Sequence, residues 1–170
     1  MDILIRRARP EEYETLGEIT AQAYLGDGLL DFGESDGYLV HLRDVERRAA
    51  AADVLVAVDR QGTVLGGVTH VPSAGSALAE LAGPGEAEIR MLAVAREARG
   101  RGAGEALVRA CIDRARATEG CFRVVLSTQR TMRAAHRVYE RLGFTRAPAR
   151  DWNPLPDLDD ILLLTYELTL

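Results

Sequence analysis

The residues that decide the fold are Glu86-Ala87-Glu88-Ile89-Arg90-Met91-Leu92-Ala93-Val94 and, after four more positions, Arg99-Gly100-Arg101-Gly102-Ala103-Gly104. The first run reads as a strand. Beyond the second, from Gly102 to about Thr118, the apolar residues Ala103, Leu107, Val108, Cys111, Ile112 and Ala115 recur at helical spacing. The glycines therefore lie in a strand-to-helix turn. Three of them in five positions let the backbone approach a ligand closely, and the unpaired N–H groups of a first helical turn attract phosphate. On the glycines alone, an anion cradle and a flexible helix cap flanked by arginines are equally good readings. A dinucleotide fingerprint fails in both frames, because Leu107 or Glu105 stands where its last glycine belongs, and a P-loop fails because the chain has no lysine.

Upstream of this stretch, Ile3 and Ile5 alternate with polar neighbours as a short strand, and Pro10-Glu11-Glu12 opens a helix running to about Tyr24. Gly26 to Gly37 holds four glycines, four acids and no base, which reads as a loop, and Tyr38 to Ala52 reads as a second helix. Val54 to Val58 and Thr63 to Val71 flank the turn Asp59-Arg60-Gln61-Gly62 and predict an antiparallel hairpin, with a bulge at Gly66-Gly67. Pro72 to Gly85 reads as a loop with one helical turn at Ala77 to Leu81. Downstream, Arg123 to Ser127 is a strand, and Met132, Ala135, Val138, Tyr139 and Leu142 form a helical stripe stopped by Gly143. Phe144 to Arg146 and Ile161 to Leu168 close the chain as strands. The expected fold is one α/β domain over residues 1–170, with about six to seven strands in a mixed, largely antiparallel sheet flanked by about four helices.

At 170 residues and 47% hydrophobic content the chain can bury one real core and is too short for two ordinary domains. A net charge of -5 argues against nucleic acid or an anionic membrane as partner. All 21 basic residues are arginine, so Schiff-base lysine chemistry is excluded. The charge is uneven: residues 95–150 carry 13 Arg against five acids, and the rest carries eight Arg against 21 acids. One stretch is thus suited to an anion, although solvated helix faces account for part of the bias. Cys111 and Cys121 are too few for a disulfide framework, and His41, His70 and His136 lie too far apart for a metal motif, so no metal is expected. The charged N-terminal stretch reads as neither signal peptide nor membrane anchor, and a cytoplasmic protein is expected.

The run Glu88 to Val94 followed by Arg99 to Gly104 resembles the acyl-CoA-binding motif of the GNAT N-acetyltransferases, R/Q-x-x-G-x-G/A, which is met in full. A second segment, Ala135-His136-Arg137-Val138-Tyr139-Glu140-Arg141-Leu142-Gly143-Phe144, is similar to that family's A-x-x-(L/V)-Y-E-x-x-G-F. The resemblance implies acetyl-CoA as cosubstrate. Its pantetheine arm would pair with the strand backbone at Leu92, Ala93 and Val94, and its pyrophosphate would lie on the turn Gly100, Arg101, Gly102, Ala103, Gly104 and Glu105, with Arg99 adding charge. Tyr139 matches the tyrosine that protonates the departing thiolate, and its position on an apolar stripe equally suits core packing. Glu88 stands where some members carry their base, and reads equally well as a solvated strand-end carboxylate or as a partner for Arg90. Met132 replaces an asparagine common seven residues before the tyrosine, which removes one expected side-chain contact to the cofactor.

Ser127 occupies a position where relatives hold a carboxylate and cannot itself act as such a base. His41 could reach an acceptor pocket or face solvent, His136 reads as a surface residue, and both cysteines read as inert thiols. Trp152 could wall the acceptor site or simply pack. The implied activity is acetyl transfer to a primary amine, small molecule or peptide, by direct attack in a ternary complex. The competing reading is a non-catalytic acyl-CoA-binding sensor. The acidic residues Asp27, Asp31, Glu34 and Asp36 point to a small cationic acceptor if they border the cleft, or to a solvated loop if they do not. Oligomeric state is left open, a homodimer included.

Overall fold

A computed structural model describes residues 2–30, 32–158 and 161–170. Seven strands, β1 (Leu4–Arg7), β2 (Asp53–Val58), β3 (Val64–Val71), β4 (Glu86–Val94), β5 (Arg123–Gln129), β6 (Thr145–Arg146) and β7 (Leu163–Thr169), form one sheet in the order β1-β2-β3-β4-β5-β7-β6. Every neighbouring pair is antiparallel except β4 and β5. That parallel pair requires a crossover, which α4 (Ala103–Ala117) supplies. The other helices are α1 (Tyr13–Gly26), α2 (Tyr38–Arg43), α3 (Val45–Ala51) and α5 (Arg133–Arg141).

Alternation along β2 sorts the core. Leu55 and Ala57 point to the layer that α4 covers with Leu107, Val108, Cys111 and Ile112, whereas Val54, Val56 and Val58 meet Leu16 of α1 and Val45 of α3 on the opposite face. A third cluster joins Ala21 of α1, Leu39 and Leu42 of α2, and Met91 of β4.

Several expected elements differ from the observed ones. The second helix is two, broken at Asp44, whose side chain accepts from the Arg47 amide and so caps α3, which makes five α-helices among the described residues where about four were expected. Pro10–Glu12 is a 3-10 turn before α1. At 77–81 one hydrogen-bonded turn forms, from the Ala79 amide to the Ser76 carbonyl, and it goes no further, because the amides of Glu80, Leu81 and Ala82 donate to the Glu88 carboxylate instead of to carbonyls a turn behind them.

The irregularity expected at Gly66-Gly67 has two parts. Leu65 is the extra residue against β2, and between Gly67 and Thr69 the extra residue belongs to β4, where Met91 has φ 54°. Side chains do not fit here: a Cβ on Gly66 would stand 2.4 Å from the Ala93 carbonyl oxygen, and one on Gly67 2.5 Å from Leu16 Cδ1. Beside this bulge β4 parts from β5. Their pairing runs from Glu86↔Arg123 to Ile89↔Leu126 and stops, although β4 continues to Val94 and β5 to Gln129.

Candidate active site

A cavity of about 780 Å³ occupies the fork where β4 and β5 part. Glu88, Arg90 and Leu92 line it from β4, Ser127 and Gln129 from β5, and Tyr139 from α5. Between Arg90 and Val94 the β4 edge that would face β5 has no strand partner, so its backbone N–H and C=O groups are available to an amide-bearing ligand.

The glycine turn leaves this edge directly. Gly100 and Gly102 have φ of 82° and 84°, a left-handed conformation that L side chains rarely adopt. Gly104 sits so close to β4 that a Cβ there would touch Val94 Cγ2 at 3.6 Å. α4 begins at this point with no side-chain cap, which leaves its first-turn N–H groups for an anion. These features fit a phosphate-bearing ligand with an extended amide arm. Of the turn's charged groups, Arg99 forms a two-pronged ion pair with Asp27 at 3.1 and 2.9 Å. Glu105 accepts from Arg141 at 2.8 Å, which holds its carboxyl below the usual carboxylate range and turns it toward α5. Arg101 is exposed, Ala103 is buried beneath the turn, and Ala93 is buried in β4.

Tyr139 serves the core and the cavity at once. It is 3% exposed, with its ring centroid 5.8 Å from those of both Phe144 and Tyr166, and it still lines the cavity. Burial pushes its phenol well above the ordinary value of 10, with Cys111 and Tyr166 adding to the effect, so the hydroxyl stays protonated across the physiological range.

Glu88 is 2% exposed and so is not a solvated strand-end carboxylate, because the β3–β4 loop folds over it. Its Oε1 accepts from the amides of Glu80, Leu81 and Ala82 at 3.0, 2.8 and 2.9 Å, and its Oε2 makes no hydrogen bond among the described residues. Glu86, one pleat earlier, accepts from the next amide, Gly83, at 2.8 Å. Two carboxylates thus gather four consecutive N–H groups and fix the β3–β4 loop against the cavity. Arg90 does not pair with Glu88. Its guanidinium donates to the Leu78 carbonyl at 2.9 Å and the Tyr38 hydroxyl at 3.0 Å, and forms an ion pair with Glu80.

Trp152 lines the cavity, and its Nε1 donates to Ser127 Oγ at 2.9 Å. Ser127 lies one residue past the last β4–β5 pair, so this bond pins the indole at the fork. The sequence did not single out Tyr24, Tyr38 or Arg90 as cavity residues, and the only signal for Trp152 was its being the chain's one tryptophan. His41 lines the cavity from α2 and is exposed. His136 is half-buried instead of superficial, with Nε2 3.0 Å from the Gln129 carbonyl and 3.2 Å from Thr128 Oγ1; burial lowers its pKa. Cys111 is buried and its thiol pushed up to about 12, which leaves it no thiolate. Met132 lines the cavity and receives a contact from Thr128 Oγ1 at 3.5 Å. In the acidic loop, Asp36 lines the cavity with its carboxylate on the Tyr38 and Phe32 amides, and Asp31 lies outside the described residues.

Among the described residues, no group of three His, Cys, Asp or Glu could hold a metal ion, and no helix is long and apolar enough to cross a membrane. No protein of curated function matches the sequence. Solved structures match over nearly the whole chain. A phosphinothricin acetyltransferase of the GNAT superfamily from Sinorhizobium meliloti, in complex with acetyl-CoA, is 17% identical with a TM-score of 0.75, over 100% of this chain and 89% of its own. A GCN5-related N-acetyltransferase from Kribbella flavida is 24% identical with a TM-score of 0.73, over 99% and 98%. A ribosomal-protein-alanine N-acetyltransferase from Brucella melitensis is 22% identical with a TM-score of 0.71, over 98% and 99%. These likenesses establish the fold. The sequence profile of the acetyltransferase (GNAT) family matches residues 12–144, so the chain belongs to the GNAT acetyltransferases.

Proposed function

We propose that the protein transfers acetyl from acetyl-CoA to a primary amine by direct attack in a ternary complex. The observation that carries this reading is the fork itself. Where β4 leaves β5, an unpaired backbone edge, a buried phenol and an anchored carboxylate meet in one cavity, beside an uncapped helix N-terminus. When bound, acetyl-CoA supplies an acetyl group already activated as a thioester.

The chain's own residues do the rest. The amides of the turn Gly100 to Glu105 hold the pyrophosphate, with the arginine-rich surroundings adding charge. The free edge at Leu92, Ala93 and Val94 aligns the pantetheine amides. The Tyr139 hydroxyl donates its proton to the departing sulfur as the C–S bond breaks and the C–N bond forms. An alkyl amine with a pKa of ~10.4 must first lose a proton, and Glu88 Oε2 receives it, directly or through water. The three amides on Oε1 hold that carboxylate in place for the task.

Tyr139→Phe tests the reading, because it removes the proton donor and keeps the ring packed against Phe144 and Tyr166. Turnover, followed by thiol release where chemistry limits the rate, should fall ~100-fold to ~10,000-fold, with acetyl-CoA affinity unchanged by calorimetry. Undiminished turnover would reduce Tyr139 to a core residue.

A further inference from the structure

Among the described residues, seven large hydrophobic side chains are exposed, and three of them, Phe32, Leu155 and Leu162, line the mouth of this one cavity. They come from the loop after α1 and from the segment before β7, which are far apart in sequence and both reach this cavity. Deeper in, Tyr24, Tyr38 and Trp152 add aromatic surface; the two tyrosine rings lie 6.3 Å apart and the indole is pinned by Ser127. The Trp152 backbone is held as well, exchanging hydrogen bonds of 3.1 and 2.8 Å with Leu163 of β7. Apolar surface gathered in this way at the mouth of a cleft marks a binding site for an apolar group.

Of the charged groups around it, Glu80 pairs with Arg90, while the Asp36 and Glu88 carboxylates accept from two and three backbone amides, which fix their positions and leave their charge for an ammonium group. The buried cation, Arg90, has its donors committed to Leu78, Tyr38 and Glu80, so a carboxylate on the acceptor would displace existing partners. Arg130 also lines the cavity but is exposed to solvent at the end of β5, where screening makes an ion pair worth little.

We infer that the acceptor is a primary amine carried on an aromatic or branched apolar body, without a neighbouring carboxylate. This rests on the acetyl-transfer reading and narrows its substrate class. It adds an apolar requirement to the expectation of a cationic amine. In the loop of Asp27 to Asp36, Asp27 is paired with Arg99, and the described residues that reach the cavity are Leu29, Leu30 and Phe32 together with Asp36.

The test compares three acceptors at saturating acetyl-CoA: 2-phenylethylamine, L-phenylalanine, which adds only a carboxylate to the same body, and spermidine, which adds charge and lacks the ring. The expected result is a kcat/KM for 2-phenylethylamine at least about tenfold above each of the others. Trp152→Ala should lower that value by about tenfold, mainly through KM. Phe32→Ser, at a side chain 58% exposed and so without consequence for folding, should lower it a few-fold. Equal or better use of L-phenylalanine or spermidine overturns the inference, as does indifference of 2-phenylethylamine turnover to both substitutions. If none of the three is acetylated the inference also fails. Calorimetric binding of acetyl-CoA, with thiol release to some other amine, would then leave the acetyl-transfer reading standing, and loss of that binding would remove both.

Discussion

The two sides of the cleft present different parts of the chain. On the proposed cofactor side the groups offered to a ligand are backbone: the free edge of β4 at Leu92 to Val94 and the first-turn amides of α4, beside glycines at 100, 102 and 104. On the proposed acceptor side they are side chains from four separate segments: Tyr24 with Phe32, Arg90, Ser127, and Trp152 with Leu155. A backbone site needs only a conformation and open space, so a short local motif suffices to build it. A side-chain site needs scaffolding, here the Glu86 and Glu88 carboxylates that gather the amides of residues 80–83. The cofactor side should therefore fail at one substitution, and the acceptor side should lose strength by degrees.

Among changes that set the two sides apart, Gly102→Glu should have the largest effect. The substitution forces a side chain onto a backbone at φ 84° and places a carboxylate where a phosphate must approach amides. Acetyl-CoA affinity by calorimetry should fall by more than about 100-fold, equivalent to roughly 3 kcal/mol, in a protein whose circular dichroism shows it folded. Unchanged affinity would mean that the turn is only a helix cap.

Next comes Glu86, the outer anchor of the acceptor-side loop. Its side chain is 4% exposed and accepts from Arg150 at 2.8 Å and Arg123 at 3.0 Å. The hydrogen bonds from Arg150, followed by those from Gly83 and Arg123, hold its pKa at about 2 against an ordinary 4.5. Because the folded value lies below the unfolded one, the stabilisation is whole above about pH 4.5 and is lost as the pH falls toward 2. Glu86→Gln should cost about 2–3 kcal/mol at pH 7 in urea unfolding and almost nothing at pH 2. A loss of equal size at both pH values would show that the carboxylate's charge is not the source.

Smaller than either is the expected effect of Glu88→Gln, which separates two uses of one side chain. If Oε2 takes the amine's proton, kcat/KM should fall by about tenfold or more at pH 7, and the deficit should shrink as the pH rises toward the amine's own pKa. A deficit independent of pH would assign Glu88 to loop positioning alone. In that case the acceptor wall would be set entirely by scaffolding, which sharpens the contrast with the cofactor side.

By itself the sequence determined the strand, the glycine turn and the helix behind it, because three glycines and an apolar helical stripe act through local conformation over fewer than 20 residues. It likewise placed Tyr139 on a buried helical face, and it carried the mixed α/β class through the order and periodicity of its apolar runs. Several features were beyond local reading. The break at Asp44 depends on a side-chain cap, and the turn at 77–81 goes no further because the next amides find a carboxylate on a neighbouring strand. The β4 bulge needs β3 as a reference, and the Arg99–Asp27 pair spans 72 residues. Only the tertiary structure decided the acceptor wall. Tyr24, Arg90, Ser127 and Trp152 have no common spacing in sequence, and their meeting follows from where β4 and β5 part and which loops close over the gap.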